Sequence, residues 1–280
     1  MHKIISKKEL APKIKRVEIH APDIADKAQP GQFVILRVNK VGERIPLTLV
    51  DWDKEKGTIT LIFLEVGVST EKLGALEAGD FILDIAGPLG NPTEIKHYGT
   101  VCVVGGGVGT ASAFPIARAF KQAGNKVVSI IGARTASLLI LEEDMKKVSD
   151  EVYISTDDGT KGYKGFVSDV VKMLIDKGYA FDRVYAIGPT VMMRAVANTT
   201  KPYNIRTIVS LNPIMVDGMG MCGACRVTVA GKTRFACVEG PEFDAHEVDF
   251  GELLKRQIAY TTEEKMALQR LLEGRCSCHE

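Results

Sequence analysis

The sequence predicts a β barrel plus an α/β unit: a small antiparallel barrel first, a Rossmann-like nucleotide domain on a parallel sheet second, and a small metal-binding domain at the carboxy terminus. Short apolar and polar runs alternate between residues 3 and about 83, with turn residues between them, the pattern of strands buried on one face. A continuous apolar run, a glycine cluster and an apolar helical stretch then follow one another over residues 100–123, which reads as strand, tight turn and helix. Three of the six cysteines gather within the sixteen residues from Cys222 to Cys237.

The barrel strands are expected at residues 14–19, 33–38, 47–50, 58–63 and 81–85, a spacing that suits a closed antiparallel sheet. Arg44-Ile-Pro-Leu-Thr48 places a cation, a rigid proline and a hydroxyl at a strand entrance; an edge strand tolerates proline because it has no ladder bond to donate there. Gly67-Val-Ser-Thr70 precedes a helical run through Leu73 and Leu76. Free amides and two hydroxyls at a helix start serve as a plain N-cap or as a seat for a pyrophosphate.

In the middle third, residues 100–104 are a buried-strand run, Gly105-Gly-Gly-Val-Gly109 is a turn, residues 110–123 are a helix ended by Gly124, and residues 127–131 are the next strand. Helix-terminal amides in such a unit receive a diphosphate. The glycine fingerprint of dinucleotide sites is incomplete, because Gly-x-Gly-x-x-Gly begun at Gly105 needs glycine at Thr110 and begun at Gly107 needs it at Ser112. No acidic residue ends the second strand to take a ribose hydroxyl; the chain runs into Gly132-Ala-Arg134 instead. Arg134 can meet a 2'-phosphate or pair on the surface.

Cys222-x2-Cys225-x11-Cys237 converges on one centre if the chain between the cysteines folds back. Residues 226–229 and 233–236 alternate about the turn signal Ala230-Gly231-Lys232, so a hairpin returns Cys237 to Cys225. Gly218, Gly220 and Gly223 allow the loop to coil with its amides inward. On spacing alone the site suits zinc, with His246 or Asp217 completing the set, or an iron-sulfur cluster with a fourth ligand.

Pro30-Gly31-Gln32-Phe33, Arg44-Ile-Pro-Leu-Thr48, Gly67-Val-Ser-Thr70 and Gly87-Pro-Leu-Gly-Asn91 stand in the order of the flavin barrel of the ferredoxin-NADP reductase superfamily, and the chain resembles the electron-transfer subunit of dihydroorotate dehydrogenase B. The resemblance implies FAD, with Arg44, Pro46, Leu47 and Thr48 along the isoalloxazine and ribityl side and Gly67, Ser69 and Thr70 on the phosphates. Thr156-Asp-Asp-Gly159, Tyr185-Ala-Ile-Gly-Pro189 and Met192-Met193 resemble the later parts of the nucleotide domain. Gly105, Gly106, Gly107, Gly109, Thr110, Arg134, Asp157, Gly188, Pro189 and Met192 are thereby candidates for NAD(H), with NADP(H) open through Arg134. The family commonly has cysteine where this chain has Ile187.

The same resemblance implies a 2Fe-2S cluster held by four cysteines, and here Asp217-x4-Cys222-x2-Cys225-x11-Cys237 keeps that spacing with aspartate first. This favours iron-sulfur over zinc. Aspartate at that place is similar to the small subunits of NADH-dependent reduced ferredoxin:NADP oxidoreductase and sulfide dehydrogenase. Asp217 is then expected as fourth ligand; the alternative is that it only caps the loop while Cys276 or Cys278 completes the site. The implied divisions are 1–97 for FAD, 98–208 for NAD(P) and 209–280 for the cluster and a carboxy-terminal helix and tail. No side chain is expected to act as acid or base. A larger flavin and iron-sulfur catalytic subunit, in a heterodimer or higher assembly, is the expected partner, with ferredoxin reached through the complex. The other readings are service to a dihydroorotate dehydrogenase and, from a different class, a zinc-binding nucleotide sensor.

Composition agrees with an ordinary globular chain: 280 residues, 45% hydrophobic, formal net charge +1. No long basic or acidic block points to nucleic acid or to an anionic membrane, and no run of eighteen apolar residues occurs. Cysteines gathered in one loop and at the chain end suit metal ligation in a reducing, cytoplasmic setting rather than a disulfide scaffold.

Overall fold

The computed structural model describes residues 1–274. Its first part contains β1 (His2–Ala11), β2 (Ile14–His20), α1 (Pro22–Lys27), β3 (Phe33–Arg37), β4 (Arg44–Thr48), β5 (Asp51–Asp53), β6 (Thr58–Leu64), α2 (Val68–Ala75), β7 (Phe81–Ile82) and β8 (Asp84–Leu89). Two antiparallel sheets, in the orders β5-β6-β2-β1-β7 and β4-β3-β8, enclose one core. Val17 and Ile19 of β2, Leu36 of β3 and Ile59, Leu61 and Phe63 of β6 fill it, because alternate side chains of each strand face the same side.

Two expectations for this part change. The amino-terminal residues, in which no separate strand was expected, form β1, paired along β2 from Ile4↔Ile19 to Ala11↔Ile14. The run at 81–85, expected as one strand, is two strands in different sheets. Phe81 pairs with Lys3 of β1, the Leu83 amide crosses to the Val38 carbonyl at 3.1 Å, and Asp84 pairs with Arg37 of β3. Alternation survives such a switch of partner, so sequence pattern cannot reveal it.

The second part contains β9 (Thr100–Gly106), α3 (Gly109–Gln122), β10 (Lys126–Ala133), α4 (Glu142–Val148), β11 (Glu151–Thr156), β12 (Tyr163–Lys164), α5 (Val167–Asp176), β13 (Arg183–Ile187), α6 (Thr190–Thr200) and β14 (Thr207–Ser210). The third contains β15 (Arg226–Val229), β16 (Lys232–Phe235), α7 (Ala236–Glu239), β17 (Glu242–Asp244), α8 (Phe250–Gln257) and α9 (Thr261–Leu272). The sheet order is β12-β11-β10-β9-β13-β14-β17. Neighbours from β12 to β14 run parallel, and β17 joins β14 antiparallel through Val209↔Phe243. The cysteine-bearing segment thus lends an edge strand to the nucleotide sheet, and one apolar core runs from Phe33 and Ile35 through Val104 and Val184 to Cys225 and Leu253.

Two polar contacts fix the barrel against its neighbours. Arg118 of α3 meets Asp51 at 2.8 Å and lies over the Trp52 and Phe114 rings at 5.6 and 5.2 Å. The Thr93 hydroxyl donates to Glu242 at 2.6 Å. Burial pushes the Glu242 carboxyl up to about 7, against the opposing pull of that hydrogen bond.

Candidate functional site

The nucleotide side is built at the point where the strand order reverses. From β9 the chain passes through α3 to β10 and outward, then returns to β13 on the other flank of β9. A crevice opens at the carboxyl ends of two strands whose connections leave in opposite directions. Gly105, Gly106, Gly107, Gly109 and Thr110 end β9 and start α3, while Gly188, Pro189 and Met192 stand beyond β13. These two turns touch. A Cβ on Gly109 would lie 2.4 Å from the Ile187 carbonyl oxygen and 2.6 Å from Gly188 Cα, and one on Gly106 would lie 2.3 Å from Met192 Sδ. Glycine is needed for this approach. Arg134, beyond β10, and Asp157, beyond β11, lie on the same sheet edge, both exposed, and neither side chain has an ion-pair or hydrogen-bond partner among the described residues.

On the barrel, β4 pairs with β3 in the register Phe33↔Thr48, Val34↔Leu47, Ile35↔Pro46 and Arg37↔Arg44. Arg44 is exposed, and it has no ion-pair partner among the described residues, whereas Arg37 beside it is paired with Asp84. Gly67 precedes α2, Ser69 is 9% exposed, and Thr70 turns its hydroxyl inward. Thr70 Oγ1 accepts from the Val66 and Gly67 amides, each at 3.0 Å, and donates to the Gly67 carbonyl at 3.0 Å. Its hydroxyl is therefore the cap, and an anion here would meet the first free amides of α2 and Ser69.

The cysteine loop folds as the spacing predicts. Ala230 and Gly231 are the two left-handed residues of the turn, with φ of 51° and 70°, and Arg226↔Phe235 closes the hairpin. Cys225 Sγ and Cys237 Sγ come within 3.2 Å. Asp217 lies against Cys222: its carboxylate accepts from the Met219 amide at 2.9 Å and the Cys222 amide at 2.8 Å. Those amides hold its carboxyl below the usual carboxylate range. Burial, with the Cys225 thiol alongside, pushes the Cys237 thiol up to about 12, while the Gly220 amide acts the other way. Two thiolates at this separation need a cation to hold them.

The candidate donors thus stand in two pairs, Asp217 on the Cys222 amide and Cys225 with Cys237. Among the described residues no three His, Cys, Asp or Glu side chains are grouped to hold a single metal ion. Paired donors fit a two-iron cluster better than one tetrahedral zinc. His246, the other zinc candidate, meets Thr200 Oγ1 at 3.1 Å instead. Cys276 and Cys278 lie outside the described residues.

The loop is also joined to the barrel. Gly218, at φ 72°, sits so that a Cβ would lie 2.7 Å from Ile35 Cγ1 and 2.8 Å from Leu89 Cδ1. Ile35 is the residue paired with Pro46. Sequence reading passed over Ile35, Glu242 and Gln257. Only Gln257 left a signal: it follows the buried Phe250 and Leu253 at helical spacing, a polar residue on an apolar face.

An antiparallel barrel, a Rossmann-like sheet open at its switch point and a paired-donor cysteine loop define an oxidoreductase electron-transfer protein of the ferredoxin reductase fold. Residues 103–198 match the oxidoreductase NAD-binding domain, and residues 212–249 match the iron-sulfur cluster binding domain of dihydroorotate dehydrogenase B. A Thermotoga maritima protein, the "dihydroorotate dehydrogenase B (NAD(+)), electron transfer subunit homolog", is 47% identical over 98% of this chain and 96% of its own. The corresponding subunit of Bacillus caldolyticus is 35% identical over 80% of this chain and 88% of its own. A solved NADH-dependent reduced ferredoxin-NADP oxidoreductase, studied for flavin-based electron bifurcation, has a chain 46% identical that superposes with a TM-score of 0.92 over 97% of this chain and 98% of that one. Phthalate dioxygenase reductase, 17% identical with a TM-score of 0.60 over 82% of this chain and 86% of its own, shares the fold. The chain belongs to the family of dihydroorotate dehydrogenase B electron-transfer subunits and their homologues. The matched domains assign it an iron-sulfur cluster and a nicotinamide nucleotide.

Proposed function

We propose that this chain passes electrons between NAD(H), FAD and a 2Fe-2S cluster as the smaller subunit of an electron-bifurcating ferredoxin:NADP transhydrogenase. The observation that carries the reading is the seat of the cysteine loop on the flavin barrel, Gly218 against Ile35 with Pro46 next across the ladder. Such a seat suits two redox groups that must exchange single electrons. The flavin, when bound, supplies hydride exchange with the nicotinamide on one side and one-electron exchange with the cluster on the other.

The residues orient and bind. Pro46, Leu47 and Thr48 line the flavin, Arg44 offers a cation with no ion-pair partner among the described residues, and Gly67 and Ser69 with the first α2 amides, that of Thr70 included, hold the phosphates. Gly105, Gly106, Gly107, Gly109 and Thr110, with Gly188, Pro189 and Met192, hold the nicotinamide nucleotide against it. Arg134 and Asp157 stand where its ribose would lie, with NAD(H) as the preferred form. Asp217, Cys222, Cys225 and Cys237 would hold the cluster. A carboxylate oxygen in place of one thiolate favours ferric iron and so retunes the cluster potential.

The divisions 1–97, 98–208 and 209–280 are the proposed functional units, although β14 and β17 bind the second and third into one sheet. A larger flavin and iron-sulfur subunit, in a cytoplasmic complex, completes the reaction with ferredoxin. Among the described residues no helix is long and apolar enough to cross a membrane. The name of the Thermotoga relative favours a second reading, service to a dihydroorotate dehydrogenase; the large subunit that co-purifies decides between them.

Purified protein is expected to show flavin and 2Fe-2S absorbance, both bleached by NADH; a colourless zinc protein would overturn the reading. For Asp217, iron content and midpoint potential are to be compared in wild type, Asp217→Cys and Asp217→Ala. A changed potential in the first and lost iron in the second are expected. Values unchanged in both would remove Asp217 from the ligand set.

A further inference from the structure

We infer that helix α8 is a bracket that couples the nicotinamide turn to the cluster loop, with Gln257 and Arg256 as its positioning residues. The inference rests on the functional reading above. Thr190 is the first residue after Gly188-Pro189 and is 4% exposed. Its hydroxyl lies 2.8 Å from Gln257 Oε1 and 3.0 Å from Asn212 Oδ1. Gln257 Nε2 in turn donates to the Asn212 carbonyl at 2.9 Å and reaches Asn212 Oδ1 at 3.1 Å. Asn212 stands on the stretch that leads from β14 into the cluster loop. One residue earlier on the helix, Arg256 Nη2 donates to the Ala224 carbonyl at 3.1 Å, between Cys222 and Cys225.

Consecutive residues of one helix therefore hold the two cofactor loops, Gln257 the nicotinamide turn and Arg256 the cysteine turn. The helix itself is fixed. Phe250 and Leu253 are 7% and 1% exposed, Asp249 caps it by accepting from the Glu252 amide at 2.9 Å, and the Asp249 amide donates to the Thr228 carbonyl of β15 at 2.9 Å. A helix so anchored moves as a body, and a shift taken up at Gln257 is felt at Arg256. Thr190 carries one proton for two acceptors, so the Gln257 and Asn212 oxygens share it and the turn is tied to both the helix and the stretch that leads into the cluster loop. Coupling of this kind is reciprocal, so nucleotide bound at the turn alters the cluster and the cluster alters nucleotide affinity.

The test uses the full chain with both cofactors, reduced with dithionite so that added NADH has nothing to reduce. NADH is expected to shift the EPR spectrum of the reduced wild-type cluster; an unshifted spectrum at saturating NADH overturns the inference without any variant. Gln257→Leu is expected to weaken the NADH Kd about tenfold, the scale of one lost hydrogen bond, and to abolish the EPR shift, with FAD and iron content unchanged. Gln257→Glu keeps an acceptor for Thr190 but turns the donor facing the Asn212 oxygens into a second acceptor, and is expected to restore only part of the affinity. Lys255→Ala, the exposed neighbour on the same helix, serves as the wild-type-like control. A Gln257→Leu protein with wild-type Kd and wild-type EPR shift also overturns the inference. Absence of flavin or cluster bands in the wild type would instead be a failure of the functional reading.

Discussion

The proposed nucleotide edge and the proposed cluster loop would hold their ligands by opposite means. At the nucleotide edge the two turns contribute backbone and the absence of side chains, so that Gly106 and Gly109 lie against Met192 and the Ile187 carbonyl. In the cysteine loop the side chains themselves are the proposed site, and the backbone coils to present them, Asp217 closing the coil on the Met219 and Cys222 amides. The first arrangement is a property of topology: it exists because β13 returns beside β9. The second is local, drawn together by a short hairpin. Damage should therefore spread differently. A lost donor in the loop would remove one cofactor, whereas an added atom at the edge strains the sheet that the second and third parts share.

Cys237→Ser tests the local half and carries the largest expected effect. The 2Fe-2S absorbance should vanish while flavin absorbance and the thermal transition remain near wild type; loss of both cofactors would show that the loop is not independent. Gly109→Ala tests the topological half. The new Cβ would meet the Ile187 carbonyl oxygen at 2.4 Å, and overpacking of this kind costs about 3 kcal/mol, which a denaturant midpoint would register along with weaker NADH binding. An unchanged midpoint would mean that the two turns separate freely.

Glu242 belongs to the shared sheet and gives a smaller, pH-dependent effect. Its carboxyl rises from an ordinary 4.5 to about 7 in the folded chain. Between those values the folded state keeps a proton that the unfolded chain releases, so stability falls as pH rises through that window and the full loss is present above it. Glu242→Gln should shrink the stability difference between pH 5 and pH 8 by about 2 kcal/mol, read from denaturant midpoints at the two values. An equal difference in both proteins would place the carboxyl in water.

The sequence by itself determined most of the elements and the gathering of the cysteines. Alternation and turn residues marked most of the strands, Ala230-Gly231 marked the hairpin, and the spacing of Cys222, Cys225 and Cys237 marked the loop, since each of these is set by residues near one another in the chain; iron-sulfur over zinc, and Asp217 as fourth ligand, were expected from the family resemblance. Which strand pairs with which was not legible there. The run at 81–85 keeps one alternating pattern while it changes sheets, and β17 joins β14 across the expected boundary at 208. Nor did Asp217, Ile35, Thr190 or Gln257 disclose their contacts, which lie between distant parts of the chain. Periodicity fixes which face of an element is buried; only the tertiary structure decides what is buried against it, and here that decision seated the cysteine loop on Ile35 and Leu89 of the barrel.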